Sequence, residues 1–202
     1  MKEIAKRPYH HGDLRSALLK AGEKALQESG VEGFSLRDLS RELGVSNRAP
    51  GRHFASKQAL LNEIALNGFQ RLGRLLDEAV ADKALRFEVR MIRMSLAYIR
   101  FATENKPLLH LMMVAKHNKN SPVALREANY RAWAAGAATV RDGQASGEVI
   151  EGDPTKLAML IFVATEGLVS MYTDNLFGTS IEAFAEEMVK LTVRGFCPRI
   201  TH

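Results

Sequence analysis

FSLRDLSRELGVSNRAPGRHF, residues 34–54, decides the fold. It reads as a short amphipathic helix, a turn at Gly44-Val45, and a second, polar helix of the kind that lies in a DNA groove: a helix-turn-helix. Ser35 is placed to cap the first helix, with Asp38 three residues on as an acidic variant of the capping box. Leu36, Leu39 and Leu43 recur at helical spacing and form one buried stripe. Gly44 can end that helix in a left-handed conformation at no steric cost, and Ser46 can cap the next one. The second helix would expose Asn47, Arg48 and Arg52 to base edges or phosphates, while Phe54 returns to the core.

An ordinary helical hairpin with solvated charges has the same spacing. Charge distribution favours the DNA reading. Residues 1–58 hold eleven Lys and Arg against seven Asp and Glu, whereas the remaining residues hold seventeen against sixteen. Most of the net charge of +5 therefore lies on the segment that would meet phosphates.

The chain has 202 residues, 46% apolar and 25% charged, enough for a proper core in one large domain or a small domain joined to a larger one. The opening MKEIAKRPYHHG is basic and polar, without the apolar segment of a signal peptide. The longest apolar stretch, Leu157 to Met171, reads as too short for a membrane span and is interrupted by Glu166. A single cysteine, Cys197, excludes an intramolecular disulfide framework and a cysteine-rich zinc site. The expected location is the cytoplasm, with no membrane partner.

The rest of the chain reads as helix. One runs from about Asp13 to Ser29, stops at Gly30, and covers the two reading helices to make a three-helix head. Ser56 caps a long helix from Lys57 to about Ala81, with Leu60, Leu61, Ile64, Leu72, Leu76 and Val80 inward. A helix from Leu85 to Ala102 turns Val89, Ile92, Leu96, Ile99 and Met91 inward. Asn105-Lys106-Pro107 breaks it, and a short helix follows from Leu108 to about Lys116. After a polar loop, His117 to Pro122, a helix spans Val123 to Ala145 and ends at Ser146-Gly147. Asp153 caps the next, which has Pro154 in its first turn and runs to about Leu176. Gly178-Thr179-Ser180 separates it from a last helix ending near Gly195-Phe196. These two helices are unusually apolar: Leu160, Phe162, Leu168 and Met171 are joined by Ile181, Phe184, Met188 and Leu191. One face can meet the chain's own core and the other a second copy, giving an isologous dimer.

Leu14 and Ala17, Gly30, the SLRDLSRELGVS run and the stretch His53-Phe54-Ala55-Ser56-Lys57-Gln58-Ala59-Leu60-Leu61 resemble the tetracycline-repressor (TetR) family of bacterial transcription regulators. The likeness is strong over residues 11–71 and looser beyond. YHHGDLRSALL and APGRHF look like one subgroup, in which a WHG-type ligand-binding domain follows the head. The resemblance implies an all-α chain: a helix-turn-helix DNA-binding domain over residues 11–71, then a helical bundle over residues 72–202 for ligand binding and dimerisation. It also implies a dimeric repressor, released from a palindromic operator by a small molecule. The chain departs from the pattern in two places, one in the head and one in the WHG stretch. Gly51 stands where the family usually has a phosphate-contacting Tyr, and inside a helix a Gly costs about 1 kcal/mol relative to Ala. That leaves open weaker DNA binding, a segment ordered only on the operator, or a changed register. Phe162 and Glu166 stand in place of the Trp and His of the WHG stretch, with Gly167 retained.

Arg48 is the candidate for base contact, since a guanidinium pairs with guanine through two hydrogen bonds. Arg52 and His53 are candidate phosphate contacts, with Ser46, Asn47 and Arg37 beside them. The resemblance gives Lys57, at the start of a helix where anions are favoured, a phosphate as well. The basic arm of Lys2, Lys6 and Arg7 is a further candidate for a minor groove. In the bundle, Glu166 would either bind a cationic or hydroxylated ligand or pair with an arginine. Phe69, Tyr98, Phe101, Met112, Met113, Tyr130, Trp133, Phe162 and Met171 are candidates to line a cavity, though apolar residues at helical spacing form core more often than pocket. His110 and His117 are surface or satisfied histidines rather than metal ligands, and no cofactor is expected. No phosphate loop, nucleophile elbow or HExxH motif supports an enzyme. The competing reading is a helical small-molecule binding protein whose operator recognition is impaired by Gly51.

Overall fold

The computed structural model describes residues 11–173 and 181–196, and these are all helix, turn and coil. The helices are α1 (His11–Ser29), α2 (Leu36–Glu42), α3 (Lys57–Ala79), α4 (Phe87–Glu104), α5 (Lys106–His117), α6 (Val123–Ala145), α7 (Pro154–Thr173) and α8 (Ile181–Arg194). The basic arm, the separator Gly178-Thr179-Ser180, Leu176 and Cys197 lie outside the described residues.

Two compact units result. One comprises Met1–Asn67 with Pro107–Leu125, the other Gly68–Lys106 with Arg126–His202. In the first, α1 and α2 pack together, and Leu18, Leu26, Phe34, Leu39, Phe54, Leu60 and Ile64 are all buried. Local chemistry sets the boundaries. The Ser35 hydroxyl accepts from the Asp38 N–H at 3.4 Å, and the Ser56 hydroxyl from Ala59 N–H at 3.1 Å. Gly44 takes φ 66°, the left-handed value its turn requires. The Asp38 carboxylate, expected to complete a capping box, instead meets Arg41 at 2.7 Å.

In the second unit α4, α7 and α8 pack against one another. Asp153 caps α7 as expected, accepting from Thr155 N–H at 2.8 Å and Lys156 N–H at 3.3 Å. Helix α6 approaches its neighbours through small residues. A Cβ on Gly143 would lie 2.7 Å from Val149 and 3.1 Å from Phe87, and one on Gly73 would lie 3.4 Å from the Ala132 backbone. Arg90 on α4 is buried, donating to the Val80 carbonyl at 3.1 Å and to the Asp142 carboxylate at 3.0 Å. The amino end of α4 has no side-chain cap of its own. The distant Glu148 carboxylate accepts from Phe87 N–H at 3.0 Å instead.

Three expectations are corrected. The buried residues of α4 are Phe87, Arg90, Met91, Met94, Ser95, Tyr98, Ile99, Phe101 and Ala102, so Met91 and Ile99 are inward as expected while Val89, Ile92 and Leu96 are only half-buried. Two polar residues, Arg90 and Ser95, share the buried face, and apolar periodicity alone left them out. The second reading helix is not a full α-helix: a turn leads into a single 3₁₀ turn over Pro50–Arg52. Pro50 has no N–H to bond to residue 46, and the bonds there run three residues back, Ala49 to Ser46 and Arg52 to Ala49. The apolar stretch, expected to be too short for a membrane span, is not. Because Pro154, Thr155 and Lys156 are helical too, Pro154–Tyr172 is long and apolar enough to cross a membrane by length and composition. One face of it is core: Ala158, Ile161, Thr165, Leu168 and Val169 are buried.

The hydrogen bond from Arg90 holds the Asp142 carboxyl below its ordinary value, with Lys83 adding to the effect. A group depressed on folding stabilises above its unfolded pKa and loses that contribution as pH falls through the folded one. Asp142 is partly exposed, so Asp142→Asn should cost only about 1 kcal/mol at pH 7. Urea midpoints of the two proteins should converge towards pH 3.

Candidate nucleic-acid interface and bundle cavity

Several cations of the first unit are held by carboxylates. Arg15 meets Glu63 at 2.8 Å and lies over the Phe54 ring, Lys24 meets Glu42 at 2.9 Å, and Arg41 meets Asp38. The hydrogen bond from Lys24 to Glu42 raises the lysine's pKa. Arg37, Arg48 and Arg52 are exposed and have no ion pair among the described residues. They belong to α2 and the Ser46–Phe54 segment, with exposed Ser46 and Asn47 and half-buried His53. A cation already held by a carboxylate must give up that partner to neutralise a phosphate. An unpaired one gives up only water. Gly51 is exposed, and a Cβ built there touches nothing within 4 Å.

Lys57 has partners within the fold. Its ammonium donates to the Val31 carbonyl at 3.0 Å and lies 5.7 Å from the centre of the Phe34 ring. It ties the loop before α2 to the start of α3, with two N–H donors left for another acceptor.

In the second unit three aromatic residues from different helices converge. The Trp133 and Phe162 rings are 3.8 Å apart, and Tyr98 meets them edge-on at 5.5 and 5.9 Å. The Trp133 indole N–H donates to Asn129 at 3.2 Å. The Tyr98 hydroxyl is buried with no hydrogen-bond partner. Beside it, the Thr165 hydroxyl donates to the Ile161 carbonyl at 2.8 Å and lies 3.2 Å from Ser95 Oγ. Burial pushes the Tyr98 phenol well above its ordinary value, and the Glu166 carboxylate pushes it further, so the group is a neutral donor. Two small cavities flank the cluster. One of about 50 Å³ opens past Met159, Ala158 and Gly136. The other, of about 10 Å³, adjoins Tyr98, Ser95 and Thr165. Met94, Trp133 and Phe162 line both.

Of the sequence candidates, Tyr98, Trp133, Phe162 and Glu166 come together. Phe69 and Phe101 are fully buried, Arg71 lying over the Phe101 ring, and they line neither cavity. Met112 and Met113 belong to the first unit. Tyr130 is 75% exposed and Met171 45%, which sets both apart from the cluster. Sequence reasoning passed over Met94, Ser95 and Thr165. The serine and threonine look like ordinary helix residues until the packing of α4 on α7 brings them face to face.

A three-helix amino-terminal unit with a helix-turn-helix, joined to a helical bundle, defines the class of DNA-binding transcriptional regulators. Comparison with known families agrees. Residues 18–64 match the model for bacterial regulatory proteins of the tetR family, and residues 91–194 match a tetracyclin repressor-like C-terminal domain. The chain belongs to the TetR family, whose members are DNA-binding regulators rather than enzymes and typically act as dimers with small-molecule effectors. No WHG subgroup is specified by these matches. A protein of unknown function from Rhodococcus sp. RHA1 is 33% identical, with TM-score 0.89 over 96% of this chain and all of that one. The TetR family transcriptional regulator PfmR from Thermus thermophilus shares the fold, at 22% identity and TM-score 0.69 over 88% of this chain and 97% of that one. An uncharacterized HTH-type transcriptional regulator of Bacillus subtilis (strain 168), YobS, is 24% identical over 112 residues, 55% of this chain. That match spans 58% of the relative's length.

A buried hydroxyl without a partner destabilises the protein that carries it. Tyr98→Phe should therefore stabilise the ligand-free chain by about 1 kcal/mol, raising Tm by roughly 2–4 °C. Differential scanning calorimetry reads this directly, and a lower Tm would mean the hydroxyl is satisfied in solution.

Proposed function

We propose that this chain is a cytoplasmic, ligand-responsive repressor that binds a palindromic double-stranded DNA operator as a homodimer. The observation that carries this reading is the charge presented by the helix-turn-helix: Arg37, Arg48 and Arg52 are exposed, have no ion pair among the described residues and lie within sixteen residues of one another. Arg48 contacts a base, Arg37, Arg52 and His53 contact phosphates, and Ser46 and Asn47 add hydrogen bonds at the same surface. Lys57 holds the segment in register and offers its remaining donors to the backbone. Residues 11–71 then act as the DNA-binding domain, and residues 72–202 as the part that binds effector and partner. A small molecule bound beside Tyr98, Trp133 and Phe162 lowers operator affinity in proportion to its preference for the DNA-free state.

The dimer uses the last two helices. On α7, Leu160, Val163, Gly167 and Met171 form an exposed stripe, and on α8 Phe184 and Leu191 form another. An apolar stripe of this length fits a symmetric four-helix contact between two copies. It also accounts for the apolarity of α7 without a membrane.

Arg48→Ala should cost about 1–3 kcal/mol on operator DNA and relax sequence preference, whereas Lys57→Ala should weaken operator and random DNA alike. Fluorescence anisotropy at several salt concentrations separates the two, and equal losses on both DNAs for Arg48→Ala would remove it from base readout. Leu160→Glu with Leu191→Glu should convert the dimer to a monomer at micromolar concentration in light scattering. A dimer that persists places the interface elsewhere.

A further inference from the structure

The aromatic cluster of the second unit carries a reading of what it binds. This rests on the proposal that the bundle is the effector site, and it concerns the chemistry of the ligand. Three features point the same way. The Trp133 and Phe162 rings lie 3.8 Å apart, and both line the outer cavity, rimmed by exposed Met159, and the inner one, walled by buried Ser95, Tyr98 and Thr165. Phe162 is only half-buried, and Met94, which also lines both cavities, has a flexible side chain. The Tyr98 hydroxyl is at the inner end, 2% of the residue exposed and without a partner. The inner cavity, about 10 Å³, is at the lower limit for one water, and a water there would need two or more polar partners.

We propose that the bundle takes a flat, uncharged, mainly aromatic ligand with one hydrogen-bond acceptor, which parts the Trp133 and Phe162 rings and accepts the Tyr98 O–H. Parting those rings merges the two cavities into one slot, wide enough for a ring system and closed at the far end by a single donor. Apolar surfaces of Met94, Ala158 and Ile161 cover the ligand's faces and edges. The donor at the end requires a carbonyl, ether or ring nitrogen there. The site is enclosed by apolar side chains and the phenol stays protonated, which favours a neutral acceptor over an anionic one. The buried unpaired hydroxyl is thus a polar group held ready for a partner supplied by the ligand, and an acceptor-free analogue leaves it unpaired.

Trp133 is the chain's one tryptophan, so its emission reports on this slot alone. The full-length protein is titrated with coumarin (a neutral bicyclic lactone), with naphthalene (the same shape without an acceptor), and with coumarin-3-carboxylate. Saturable quenching by coumarin is expected, with naphthalene and coumarin-3-carboxylate each at least tenfold weaker. Tyr98→Phe should weaken coumarin about tenfold and leave naphthalene unchanged. Phe162→Ala, which opens the slot permanently, should leave the preference for coumarin over naphthalene intact. Equal affinity for coumarin and naphthalene, or an unchanged coumarin affinity in Tyr98→Phe, overturns the acceptor requirement. No quenching by any of the three overturns the slot. Operator binding is measured in parallel. Protein that binds DNA but shows no quenching loses the slot and keeps the DNA-binding reading. Protein that shows the expected quenching pattern but never releases DNA with any ligand loses the regulatory reading and keeps the slot.

Discussion

A guanidinium shut inside a protein must have its donors satisfied, and Arg90 organises one end of the helical bundle around that demand. Its Nε binds the Val80 carbonyl, where the chain has just left α3, and its terminal nitrogen binds Asp142 on α6. Three segments distant in sequence are thereby fixed to one planar group, whose geometry tolerates little sliding. Glu148 completes the arrangement by capping α4 from the far side of the α6 turn. With α4 held in rotation, Tyr98 and Ser95 lie two and one turns further along the same buried face. The position of the aromatic cluster follows from that.

Charge is used in opposite senses in the two units. In the bundle the buried cation is neutralised and serves as a fixed point. In the head several cations are neutralised as well, by Glu63, Glu42 and Asp38, and these hold helices together. The remaining arginines of the helix-turn-helix stay in water, where they contribute nothing to folding and retain their full charge for a polyanion. Partners distinguish the cations that hold helices together, and the net charge of +5 does not.

What the sequence disclosed follows the range of the interactions involved. Caps at Ser35, Ser56 and Asp153, and the left-handed Gly44, are decided within three residues and could be read directly. The rotation of α4 could not, because Arg90 and Ser95 are buried only by virtue of partners fifty and seventy residues away. The same distinction divides the site. The exposure of Arg48 and Arg52 could be read from residue type and spacing, but whether Lys57 was solvated or tied to Val31 depended on a loop 26 residues away. Tyr98, Trp133 and Phe162 were visible as aromatic residues on helices. Their separation from Tyr130 and Met171 appeared only once the faces of α6 and α7 were assigned.

Gly51 occupies a position with no neighbour within 4 Å of a built Cβ and a φ outside the left-handed range, so nothing in the fold demands a glycine there. Most positions in a folded chain are held by their neighbours, and this one is not. A side chain of any size can therefore be exchanged there without drawing on the stability margin that limits change elsewhere.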